Sequence, residues 1–188
     1  MHDSTHAATH AATHTARRRA LWILGALLIA YVVAFYFPEQ QMTSGGGPGT
    51  LKFELVGTAE RAAAYMDQWG SEGQNGARWG LWIDYGYMVV YAAFFALLAR
   101  AAADRAANRG RATLAKTGRW IWTLPIAAAA FDAIENAGLL AIVYGSEGGL
   151  APALATTCAS LKFLLLLTTQ IYLIVVVVKT SRSHPAQY

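Results

Sequence analysis

Apolar residues dominate four long stretches of the chain, and each lacks the alternation of a half-buried strand. The first runs from Ala20 to Phe37, the second from Trp79 to Ala103, the third from Trp120 to Tyr144, and the fourth from Ala151 to Val178. At 1.5 Å per residue even the shortest gives about 27 Å as a helix, enough to cross a bilayer core. The pattern therefore predicts an all-α fold, a bundle of four transmembrane helices. Segments 20–37, 79–103, 120–144 and 151–178 are its spans.

The segments between the spans set the expected topology. Residues 1–19 form a polar tail with a four-residue repeat that spaces His2, His6, His10 and His14 evenly. Low complexity predicts a disordered tail. A helical repeat would stack the imidazoles at i, i+4, a spacing that can share a metal. Arg17, Arg18 and Arg19 abut the first span and hold its start in the cytoplasm. No small-x-small cleavage signal precedes Pro38, which favours an anchor over a signal peptide.

Residues 38–78 form an outer loop with Glu39, Glu54, Glu60, Asp67 and Glu72 against Lys52, Arg61 and Arg78. Gly45 to Gly49 reads as a flexible linker, and Leu51 to Val56 as a short extended piece. Thr58 is placed to cap a short amphipathic helix from Ala59 to Trp69, which Gly70 stops. The connection after the second span carries Arg100, Arg105, Arg109, Arg111, Lys116 and Arg119 against Asp104 alone, the charge bias of a cytoplasmic loop. Residues 179–188 begin with Lys179 and form a second cytoplasmic tail. All flanks agree on both termini being cytoplasmic and on a multi-pass protein of the cell inner (plasma) membrane.

Composition reinforces this picture. The chain has 188 residues, of which 55% are hydrophobic and 14% charged, well below the roughly 25% charged residues of soluble domains. The net charge of +4 sits beside the spans, which makes the bilayer, not nucleic acid, the expected partner. Cys158 is the single cysteine, which excludes an internal disulfide and a Cys-based metal site. No histidine lies in a span, which argues against bis-His haem. No cofactor and no metal are expected from the spans.

What changes the picture is charge inside the spans. In Asp132-Ala133-Ile134-Glu135-Asn136 the polar residues are i, i+3 and i+4, one face of a helix. Lys162 lies in the fourth span and Asp84 in the second, with Tyr87 and Tyr91 on the Asp84 face, where their hydroxyls offer Asp84 a partner. Counted from the outer ends, Lys162 lies about 17 Å deep, Glu135 about 14 Å and Asp132 about 18 Å. Ionisable side chains at such depth turn inward and find partners. The expected pocket has Asp132, Glu135, Asn136 and Lys162 as its floor and Asp84, Tyr87 and Tyr91 as its upper wall. Three carboxyls against one ammonium leave a formal charge of −2, so a proton or a bound cation is expected to complete the balance.

Two functional readings compete with a plain one. The first is a module that binds or transports a small cation, a proton or an amphipathic molecule; as transport it calls for a homodimer, since four spans are few for alternating access. The second is a small membrane enzyme that uses paired carboxyls as acid and base on a lipid-like substrate, with Lys162 as base or Schiff-base nucleophile. The plain reading is a structural or assembly subunit in which the polar residues only lock the helices together, although such contacts average just ~0.6 kcal/mol in membranes.

Overall fold

The structure, a computed structural model, describes residues 3–145 and 149–181, with side chains from Thr15 onward. Every regular element among these residues is a helix. The elements are α1 (Asp3–Thr43), α2 (Thr50–Glu54), α3 (Ala59–Asn108), α4 (Ala112–Ile121), α5 (Leu124–Val143) and α6 (Leu150–Ser181). Four helical stretches are long and apolar enough to cross a membrane.

The third helix, α3, is the hub and touches α1, α4, α5 and α6, while α5 and α6 pack along each other. In contrast, α1 lies against α3 with no residue of its apolar stretch buried. Trp22, Ile23, Ile29, Val32 and Val33 point outward from it, as a helix apolar all round does when its solvent is lipid. Close approach depends on glycine. Gly76 of α3 lies against the Pro38 carbonyl and Gln41 of α1, where an added Cβ would come within 2.8 Å of both.

Several expectations need correction. The repeat at 3–14 is helical and continuous with the first span, not a disordered tail. Alanine supplies the highest helix propensity, and the span supplies a nucleus to extend. The metal question raised by the repeat concerns side chains outside the described residues. The first span does not stop at Phe37. Pro38 is inside α1 and buried, and the helix continues to Thr43, whose hydroxyl donates to the Glu39 carbonyl at 2.7 Å.

The segment between α1 and α3 is a packed cover, not a linker with an extended piece. Glu39 Oε2 accepts from the Thr50 amide at 3.0 Å and the Thr50 hydroxyl at 2.6 Å, which starts α2 as a helix. Trp69 Nε1 donates to the Pro48 carbonyl at 2.8 Å, and its ring meets that of Phe53 edge-on at 4.9 Å. The Gly57 amide donates to Thr156 Oγ1 at 2.9 Å, and that hydroxyl reaches the Glu54 carbonyl at 3.2 Å. Three anchors thus tie the segment to α1, α3 and α6.

Thr58 caps α3 by accepting from the Arg61 amide. The helix breaks at Gly70, which adopts φ +56°, and then resumes, so the short helix and the second span form one kinked element. The Gln74 side chain donates to the Met66 carbonyl across the break at 3.1 Å. The third apolar stretch, Ala112–Val143, is broken between α4 and α5 at residues 122–123. Pro125 occupies the first turn of α5, where its missing N–H costs nothing, and Trp120 belongs to α4.

Candidate functional site

Antiparallel packing brings the charged positions together. On α5, Asp132, Glu135 and Asn136 share the face turned to α3 and α6, and all three are buried. Lys162 of α6 is buried opposite them, with its Nζ 3.0 Å from Asp132 Oδ1 and 2.8 Å from Glu135 Oε2. Since α3 and α5 run in opposite directions, the later α3 residue meets the earlier α5 residue. Tyr91 OH donates to Asp132 Oδ2 at 2.8 Å, and Asn136 Nδ2 donates to Asp84 Oδ2 at 2.7 Å.

The hydroxyl partners expected for Asp84 are therefore reassigned: its partner is the Asn136 amide, and the phenol serves Asp132. No hydrogen bond joins Tyr87 to Asp84; its ring packs against Tyr31, Phe35 and Tyr91 at 5.4 to 5.8 Å. Farther in, Thr169 donates to its own helix at the Leu165 carbonyl.

One member was not foreseen. Glu54, at the end of α2, places Oε1 3.5 Å from Lys162 Nζ. Its side chain is 14% exposed. Burial raises its pKa from the usual 4.5; Lys162 opposes that shift, and Asp132 and Glu39 reinforce it. The sequence signal is faint: an acid set among Leu51, Phe53, Leu55 and Val56, in a segment that is otherwise a loop by composition.

No known family model, curated protein or solved structure matches this chain. Its chemistry is therefore read from the site alone.

Four carboxyls (Glu54, Asp84, Asp132 and Glu135) now face one ammonium, a formal charge of −3 if every carboxyl is ionised. Glu135 is fully buried; its Oε2 lies 2.8 Å from Lys162 Nζ, while its Oε1 has no partner among the described residues. A buried carboxylate oxygen without a donor costs about 1–3 kcal/mol or more. A proton on that oxygen, a water or a cation relieves the cost.

A cavity of about 30 Å³ lies beside the cluster, between α1, α2, α3 and α5. Thr50, Glu54, Asp84 and Asn136 give it polar walls, and Phe35, Phe53 and Leu139 give it apolar ones. That volume is large enough for one water or a small ion. On the Tyr91 side of the site, Met88, Tyr91, Ala92 and Ala128 form an apolar cluster. Among the described residues, no group of three or more His, Cys, Asp and Glu is arranged to hold a metal ion.

Proposed function

We propose that the chain is a multi-pass protein of a cell inner membrane whose buried acid–lysine cluster binds a proton or a small cation arriving from the outer side. The observation that carries this reading is the imbalance around Lys162: four carboxyls, one ammonium, and a buried Glu135 whose Oε1 has no partner among the described residues. Net negative charge in a poorly solvated place calls for a mobile positive charge.

Other features support the direction and the size of the ligand. The cavity adjoins α2 and is closed toward the opposite end by apolar packing. The end opposite α2 carries the arginines of the α3–α4 turn, the bias of a cytoplasmic face. Arg17 of α1 meets Asp104 there, and Arg105 meets Thr180 of α6, which supports both termini on that side. A volume of about 30 Å³ suits a proton carrier or an ion better than an amphipathic molecule.

The enzyme reading has less support. Three carboxylates lie within 3.5 Å of Lys162 Nζ, a setting unlike the apolar pocket or cationic neighbour that makes a lysine nucleophilic. Proton counting on the purified full chain in weak buffer tests the proposal. Adding Na⁺, K⁺ or Mg²⁺ should displace protons saturably from the wild type and less from Glu135→Gln. Absence of both proton release and cation uptake leaves the polar residues as helix fasteners.

A further inference from the structure

A second polar site lies at the opposite end of the bundle and is independent of the buried cluster. Arg17 of α1, Arg100, Arg105 and Arg109 of α3, and Arg119 of α4 converge there around two adjoining hollows. The first, of about 280 Å³, is lined by Arg17, Arg100, Asp104 and Arg119 with Trp122. The second, of about 400 Å³, is lined by Arg17, Asp104, Arg105 and Arg109 with Asn108. Arg17 and Asp104 belong to both and are paired at 2.6 Å, so their ion pair is the partition between the hollows.

The arginines are oriented by neighbours. The Arg100 guanidinium stacks 3.8 Å over the Trp122 ring. Arg105 Nε donates to Thr180 Oγ1 at 2.9 Å, and Arg109 Nη1 to the Thr180 carbonyl at 3.1 Å. A guanidinium has five N–H donors in a planar fork that suits phosphate oxygens, and each of these last two contacts uses one.

Location narrows the ligand. Trp120 and Trp22 are 75% and 72% exposed, next to Arg119 and about 7.5 Å along α1 from Arg17, and such tryptophans mark the headgroup level. Beyond them Ile23, Leu27 and Ile126 offer exposed apolar surface for acyl chains. Basic pockets between helices at this level recognise anionic headgroups.

We infer that the two hollows hold the headgroup of a phospholipid with two phosphodiesters, one on each side of the Arg17–Asp104 pair. Two basic hollows with one shared wall match two linked phosphates, and the flanking apolar surface calls for a lipid rather than a soluble phosphate.

Native mass spectrometry of the delipidated full chain, titrated with diphosphatidylglycerol, phosphatidylglycerol or inorganic pyrophosphate, tests the inference. One diphosphatidylglycerol per chain should bind in preference to phosphatidylglycerol and resist pyrophosphate. Arg100→Gln and Arg109→Gln, one in each hollow, should each weaken diphosphatidylglycerol roughly five-fold and erase the preference. Asp104→Asn, which removes the acid common to both hollows, should bind at least as well as wild type and shows that a substitution here does not simply unfold the chain. Equal binding of the two lipids by the wild type, displacement by pyrophosphate, or unchanged preference in both arginine variants overturns the inference.

Discussion

The carboxylate of Glu54, carried by a short helix outside the spans, lies 3.5 Å from the ammonium of Lys162 in the last span. That contact joins the cover between α1 and α3 to the buried cluster. Lys162 also meets Asp132 and Glu135 of α5, so one cation holds together three elements. Loss of Lys162 should be felt in all of them.

Lys162→Met is therefore expected to destabilise the bundle severely, by about 3–5 kcal/mol, because it leaves buried carboxylates with no counter-charge. Unfolding of the detergent-solubilised protein by a denaturing detergent measures this. The loss should be partly recovered in mildly acidic buffer, where proton uptake removes the unbalanced charge. A variant as stable as wild type at neutral pH would show that the cluster is already neutral without the lysine.

Docking of α2 should depend on pH through Glu54. Burial raises the carboxyl's pKa above 4.5 in the docked state, so the docked form holds a proton more tightly than the undocked one. The resulting stabilisation of docking is fully present below the undocked value and is lost as pH rises through the docked value. Hydrogen exchange at residues 50–57, corrected for its intrinsic pH dependence, should show better protection as pH falls toward 4.5. Glu54→Gln should stay docked with no such slope. Thr156→Val should loosen the same residues at every pH, since it removes the hydroxyl that bridges Gly57 and the Glu54 carbonyl.

The α1–α3 contact gives a paired steric test. Gly76→Ala places a methyl against the Pro38 carbonyl and Gln41, closer than real Cβ atoms approach. A cost of about 1–3 kcal/mol is expected, as for other overpacked sites. Gly80→Ala meets only the Pro38 ring at 3.5 Å, an ordinary contact, and should cost little. Equal stability of the two variants in detergent unfolding would place α1 farther from α3.

Asn136→Leu removes the amide that donates to Asp84. It should destabilise by about 1–3 kcal/mol, the cost of a polar group stranded without its partner, and reduce cation-linked proton release. Asp84→Asn with Asn136→Leu should recover part of the stability but none of the release. Full recovery of both would make the pair a packing contact only.

Much of this architecture was legible because membrane physics narrows the choices. Four apolar stretches require four long helices. Asp132, Glu135 and Lys162 share a depth, and none tolerates lipid, so their meeting at 2.8 to 3.0 Å follows from helical spacing and an antiparallel turn. Less was legible where tertiary contacts decide. Only its apolar neighbours hint that Glu54 is buried; it is drawn in by Glu39, Trp69 and Thr156, which are distant in sequence. Pro38 reads as a helix end, yet α1 passes through it against glycines of α3. Asp84 has tyrosines on its own face, and the strand of contacts still selects Asn136, because register between α3 and α5 is set by packing rather than by either helix alone.

Infrared spectroscopy of the purified full chain at neutral pH, with and without Na⁺, tests the central claim most directly. The account predicts a protonated-carboxyl band in cation-free buffer that is diminished by Na⁺, K⁺ or Mg²⁺ and reduced in Glu135→Gln. Four ionised carboxylates in cation-free buffer, with a spectrum indifferent to added cations, would contradict it.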